Sequence, residues 1–163
     1  MYATHYEGEE ENEYERLIEL WTDRLYLHEF AKTAAVSNMD SFVEQVVEDA
    51  YDMDDLMYAE MEGKERLANF FRPLHNREIG FVSLSLQKGK ANRKSPLRIY
   101  AIRIDVNIYL ITGGGIKLVR TMQESEALTE ELKKLNAMKN YLKEKGVFDN
   151  DSFQDFKTEQ DEN

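Results

Sequence analysis

The chain has 163 residues, 42% apolar and 11% aromatic, which suits one domain with a buried core and excludes wholesale disorder. It has no cysteine, so a disulfide framework, a thiolate nucleophile and a Cys-type zinc site are excluded. The net charge of −11 is unevenly spread: residues 1–76 carry 19 acidic and 6 basic side chains, residues 77–120 carry 2 and 9, and residues 121–163 carry 11 and 6. A basic segment within an acidic chain marks either a local partner surface or a set of strands facing acidic helices.

Residues 1–12 hold Glu7, Glu9, Glu10 and Glu11 and offer little to bury, so a flexible acidic lead is expected. This lead lacks the basic and apolar regions of a secretory signal, and no run approaches the roughly 20 apolar residues that span a bilayer. A cytoplasmic protein without membrane contact is the expectation. Tyr14, Leu17, Ile18, Trp21 and Leu25 then recur at helical spacing and predict one amphipathic helix over residues 13–32. His28 falls on its apolar stripe, where a hydrogen-bonded core histidine is expected.

Ser37, Asn38 and Asp40 supply capping oxygens for a second helix, carried by Phe42, Val43, Val46, Val47, Ala50, Tyr51, Met57, Tyr58 and Met61. Gly63 is expected to end it, and residues 64–71 to form a short helix before Pro73. From Gly80 the period changes to 2, with Val82, Leu84 and Leu86 alternating with polar residues, so a half-buried strand is predicted. A polar, basic and flexible loop follows over residues 88–96. A strand over 97–104 and a tight connection at 105–107 lead to a strand over 108–112. Gly113-Gly114-Gly115 then precedes residues 116–120 as either a bulged continuation or a last short strand. Residues 126–145 close the chain as a helix with Leu128, Leu132, Leu135, Met138, Tyr141 and Leu142 on one face.

This order predicts an α+β fold: helices first, an antiparallel sheet of three to five strands next, and a C-terminal helix last. The expected organisation is a flexible segment at 1–12 and a single domain at 13–156. Within that domain 13–76 is helical, 80–120 forms the sheet, and 126–145 is the closing helix. A disordered tail is expected at 157–163.

Several patterns are weaker than they look. The triple glycine is not followed by the Lys-Ser/Thr pair and helix of a phosphate loop, and it reads as a place of close backbone approach. Asp49, Asp52, Asp54 and Asp55 lack the glycine and glutamate spacing of a calcium loop and read as a solvated helix face. His5, His28 and His75 form no metal-ligand pair, so neither a metal nor a cofactor is expected.

The pattern that carries chemistry is the set Lys88, Lys90, Arg93, Lys94, Arg98, Tyr100, Arg103, Lys117 and Arg120. Arg98 and Tyr100 share a strand parity and should project together, with Lys117 or Arg120 brought alongside from the next strand. Guanidinium groups fork onto phosphate and a tyrosine ring offers a stacking face, so the set could hold single-stranded RNA. The same cations could stabilise a pentacovalent phosphate while a general base activates a 2′-hydroxyl, and His75, beside Arg72 and Arg77, is a candidate for acid–base work. Lys88, Lys90, Arg93, Lys94 and Arg103 are then binding residues, with Arg98, Tyr100, Lys117, Arg120 and His75 nearer the chemistry. The other reading is a non-enzymatic interaction domain whose basic sheet is covered by its acidic helices or by an acidic partner.

Leu97-Arg98-Ile99-Tyr100-Ala101-Ile102-Arg103-Ile104, a hairpin, Ile108 to Ile111, the glycine step, Ile116-Lys117-Leu118-Val119-Arg120-Thr121 and a helix together resemble the RelE/HigB-type toxins of toxin–antitoxin systems. The resemblance covers residues 80–145. It implies a compact α+β fold, a helix-turn-helix antitoxin as partner, and ribosome-dependent mRNA cleavage as in many members of the group. By position it assigns Arg98 to the strand arginine, and Lys117 and Arg120 to the basic strand.

Overall fold

A computed structural model describes residues 1–61, 67–75, 78, 80–118 and 122–162. In chain order the elements are β1 (Tyr2–Ala3), α1 (Glu13–Trp21), α2 (Arg24–Thr33), α3 (Met39–Met61), α4 (Leu67–Phe70), β2 (Phe71–Pro73), β3 (Ser85–Gly89), β4 (Leu97–Asp105), β5 (Ile108–Ile116), α5 (Met122–Glu144) and α6 (Asn150–Glu162). The fold is α+β, with helices leading, a sheet in the middle and helices closing the chain.

Helix starts follow short oxygen side chains. The Asn12 carboxamide accepts from the Glu15 N–H to cap α1, and the Asp23 carboxylate accepts from the N–H groups of Leu25 and Tyr26 to cap α2. Periodicity alone runs these two helices together. They separate because the Thr22 hydroxyl donates back to the Ile18 carbonyl and Asp23 supplies a second cap. The break also turns the inward face. Leu25 is 81% exposed instead of lying on the buried stripe. His28 sits near the surface, 3.6 Å from Asp40, and is not the core histidine that helical spacing predicts.

The five strands lie in the order β1-β5-β4-β3-β2, with β1 parallel to β5 and the other neighbours antiparallel. The sheet is therefore mixed. Residues expected to be flexible help to build it: Thr4 N–H donates to the Ile111 carbonyl at 2.8 Å and the Tyr6 hydroxyl to the Thr112 carbonyl at 2.9 Å. The strand expected from residue 80 starts at Ser85, because Ser83 and Leu84 form a turn with Leu84 at a φ of 56°. At the other end α6 runs to Glu162, capped through Asp149 and Ser152, where a disordered tail from 157 is expected.

Helices cover both faces of the sheet. Leu97, Ile99 and Ala101 of β4 pack with Leu17, Trp21, Val43, Val46 and Met53 of the N-terminal helices, whereas Tyr100, Ile102 and Ile104 pack with Leu135, Leu142 and Phe153 of the C-terminal ones. A strand buried on both faces needs apolar residues at both parities, which accounts for the sequence of β4. β5 continues unbroken through the glycines. Tyr100 pairs with Gly113 and Ala101 with Ile111, leaving Thr112 as the extra residue of a bulge. A Cβ at Gly114 would overlap the Arg98 carbonyl and reach 3.1 Å from Leu17 Cδ1, and one at Gly115 would lie 3.1 Å from Leu128 Cδ2. Glycine here lets α1 and α5 close on opposite faces of one strand.

A buried ion network fixes α5 over that strand. Glu13, 2% exposed, accepts hydrogen bonds from Arg16 and from Lys134, and Glu131 lies 3.0 Å from Lys134 and 3.9 Å from Arg16. Burial pushes the Glu13 carboxyl upward, but the hydrogen bonds and charges of Arg16 and Lys134 outweigh it and hold the group below the ordinary carboxylate value. Tyr6, with Lys134 over its ring at 4.8 Å, is pushed up to about 12 by burial and then by Glu13.

Candidate anion-binding cleft

Gly113, Tyr100, Lys88 and Arg72 are cross-strand partners in one row over β5, β4, β3 and β2, so their side-chain directions share a face of the sheet. The two ends of the row differ. Tyr100 lies under the C-terminal helices at 5% exposure, and burial first, then the Glu131 charge, raise its hydroxyl pKa against the opposing effect of Arg98. It offers no open ring to a base, contrary to the expectation of a stacking tyrosine. Lys88 and Arg72 emerge beyond the helix cover, half-buried and exposed respectively.

Arg98 lies on the same face at the end of β4. Its Nη1 donates to the Ser95 carbonyl at 2.6 Å and the Leu97 carbonyl at 2.9 Å, while Nε and Nη2 have no acceptor among the described residues. The guanidinium is thus aimed by its own loop with donors left over. Burial lowers its pKa and Tyr100 acts in the opposite sense.

Of the loop expected to be flexible over residues 88–96, Lys88 and Gly89 belong to β3 and the rest is pinned. Asn92 Nδ2 donates to Asp49 Oδ1 at 3.0 Å, Gln45 Nε2 donates to the same oxygen at 2.9 Å, and Asn92 Oδ1 accepts from the Lys94 N–H at 3.0 Å. Asp49 is 1% exposed, so it is an anchor for this loop and does not belong to the solvated face of α3. The Lys117 N–H donates to the Pro96 carbonyl at 2.7 Å, which ties the chain after β5 to the same loop.

The result is a cleft of about 520 Å³ at the β2 edge, with the cations Arg72, Lys88, Lys90 and Arg93, the amides Asn69 and Asn92, and the Phe70 ring on its walls. Arg98 and Lys117 adjoin it. The Lys90 ammonium is held below the ordinary lysine value by Arg98 first, then by lost hydration, then by Lys88, Lys117 and Arg93. Among the described residues none of these six cations forms a salt bridge. The acidic helices find other partners: Glu44 pairs with Arg24 at 3.0 Å, and Asp54 accepts from the Tyr14 hydroxyl. What the cleft offers chemically is several forked and point-charge donors around one space, a setting for phosphate or another polyanion.

The sequence-predicted set is thus divided. Lys88, Lys90, Arg93, Arg98 and Lys117 come together. Lys94 is exposed on the anchored loop and does not line the cleft. Arg103 is at the far end of β4, about 17 Å from Arg98 at strand spacing. Its guanidinium lies 5.3 Å from the Phe81 ring centre and 5.5 Å from that of Tyr109, and donates to the Val106 carbonyl. It supports the hairpin, not the cleft. His75 is exposed beyond β2 and outside the cleft lining. Arg120 lies outside the described residues.

Asn69 and Phe70 escape the sequence reading, and Arg72 enters it only as a neighbour of His75. Their only signal is the Asn-Phe-Phe-Arg string before Pro73, in a helix of four residues and a strand of three, too short for either period to register.

The chain matches no protein-family model, no curated protein and no solved structure. Among the described residues there is no cluster of three His, Cys, Asp or Glu able to hold a metal, and no helix long and apolar enough to cross a membrane.

Proposed function

We propose that the chain binds single-stranded RNA by its phosphates at the β2-edge cleft, as a toxin-like protein of the kind its strand, hairpin and helix pattern resembles. The observation that carries this reading is the convergence of Arg72, Lys88, Lys90, Arg93, Arg98 and Lys117 without a carboxylate partner among the described residues, in a protein of net charge −11. Cations held together with no ion-paired carboxylate among the described residues raise the energy of the free protein. A polyanion that bridges them relieves that repulsion, so the strain becomes affinity.

Binding, not cleavage, is the activity proposed. Tyr100 pairs with Lys88 in the sheet but is buried under the C-terminal helices, and His75 is outside the cleft lining, so neither acid–base candidate opens into the cleft. Resemblance to toxins of toxin–antitoxin systems supports RNA over other polyanions as the ligand.

The test compares wild type with Lys88→Ala/Arg93→Ala for binding of a short labelled single-stranded RNA by fluorescence anisotropy. The double variant should bind at least about tenfold more weakly at low salt, since phosphate contacts dominate such affinities. Equal binding by the two proteins would overturn the assignment of the cleft. In cells, induced wild type should slow growth and the double variant should not; equal growth removes the toxin reading while leaving RNA binding to the first assay.

A further inference from the structure

The cationic cleft shares a wall with a second, chemically different pocket. That pocket, of about 140 Å³, is bounded by Leu56, Met57, Leu67 and Ala91, with Glu60 at its polar side, and it has Asn69, Phe70 and Lys90 in common with the larger cleft. It is well below the roughly 300–1,000 Å³ of sites that enclose a whole small ligand. A planar ring fits that scale; a complete cofactor does not.

The Phe70 ring stands between the two spaces and its position is fixed by its surroundings. It packs edge-on against Phe71 with ring centres 4.9 Å apart at 84°. It also lies directly over Gly89, where a Cβ would overlap ring carbon Cε1. Glycine at this point of β3 is what allows the aromatic to approach the strand so closely at the cleft wall. Yet Phe70 is only partly buried and lines both spaces.

We infer that the small pocket receives a nucleobase, stacked on Phe70, whose attached phosphate sits among Lys88, Lys90, Arg93 and Arg72. This rests on the proposed RNA-binding reading and adds the base as a second recognised group. Charge fixes the orientation: the Glu60 carboxylate repels phosphate from the apolar compartment, whereas the four cations draw it into the other. Lys90 and Asn69, common to both, stand where base and phosphate join. The occupant must therefore be a single-stranded nucleotide, since a paired base cannot leave its stack without cost.

The probes are a fluorescein-labelled single-stranded RNA and a ribose-phosphate oligomer of the same length lacking bases, which carries the same charge. Wild type should prefer the base-bearing strand by roughly five- to 150-fold, the effect of stacking one base on an aromatic side chain. Phe70→Leu should bring the ratio close to unity, and Phe70→Trp should preserve it. A wild type that binds both oligomers equally overturns the base pocket while the phosphate cleft stands. Binding of neither overturns both. Where Phe70→Leu fails to fold, by circular dichroism, the wild-type ratio and Phe70→Trp still decide the matter.

Discussion

Lys90 sits closest to the conflict that defines the cleft. Arg98, loss of hydration, Lys88, Lys117 and Arg93 all disfavour its charged form, so in the free protein it adds repulsion and with a bound polyanion it adds attraction. Lys90→Ala should accordingly leave the melting temperature unchanged or slightly higher, by scanning calorimetry at low salt, while weakening RNA binding. A lower melting temperature would show that Lys90 has a stabilising partner. Tyr100 makes the opposite case. Its strand parity with Arg98 is legible in the sequence, but the helix lying over it is not, because alternation gives the face and not what covers it. Tyr100→Phe should keep RNA affinity within about twofold of wild type, since a side chain at 5% exposure contributes little contact to a ligand in the cleft. A large loss would return Tyr100 to the site. The lysines and arginines of residues 88–98 stand out by charge alone, whereas Arg72 is hidden in a strand of three residues and is recognised only by its pairing with Lys88.

Elements position these side chains by two devices, one of which left a trace in the sequence. The triple glycine signals close approach, and the structure supplies the neighbours: the Arg98 backbone and Leu17 at Gly114, α5 at Gly113 and Gly115. Gly114→Ala would place a methyl on the Arg98 carbonyl, backbone that cannot swing away, and should destabilise the fold by about 1–3 kcal/mol in urea denaturation. No loss would mean that β4 and β5 separate freely there. The second device, the Glu13 network, joins α1 to α5 across 121 residues of sequence through Glu13 and Lys134, and no local pattern reports such a pair. Glu13→Gln should cost about 1.5–3 kcal/mol, because Arg16 and Lys134 lose a charged, buried acceptor while Glu131 stays within 4 Å of both. The Glu13 carboxyl is held below its ordinary value near 4.5, so its contribution to stability is complete above that pH and is lost as pH falls through the lower folded-state value. The difference between wild type and Glu13→Gln should thus be largest at neutral pH and close in acid; a gap independent of pH would contradict the assigned charge state. Helix placement was legible where caps and periods agree, as in α3, and failed at Thr22 and Asp23, where two side-chain hydrogen bonds outweigh a continuous apolar stripe.

For the whole molecule, the decisive feature is how charge is laid out over the fold. The sheet order places β1, which leads into the glutamate-rich segment, at one edge and β2, which carries Arg72, at the other. The division into acidic and basic segments was visible in the sequence. Whether the acidic helices would cancel the basic strands was not, since that depends on which helix faces which edge. Among the described residues no helix carboxylate forms an ion pair with a cation of the β2 edge. The central claim is that several of them engage phosphates together, and the salt dependence of RNA binding tests it most directly. For wild type, the logarithm of the association constant against the logarithm of salt concentration should fall with a slope of about −2 to −3.5, as expected when three to five phosphates are neutralised on a single strand. Lys88→Ala/Arg93→Ala should reduce the magnitude of that slope by roughly 1.4. A slope near zero, or one that the double variant leaves unchanged, would contradict the account.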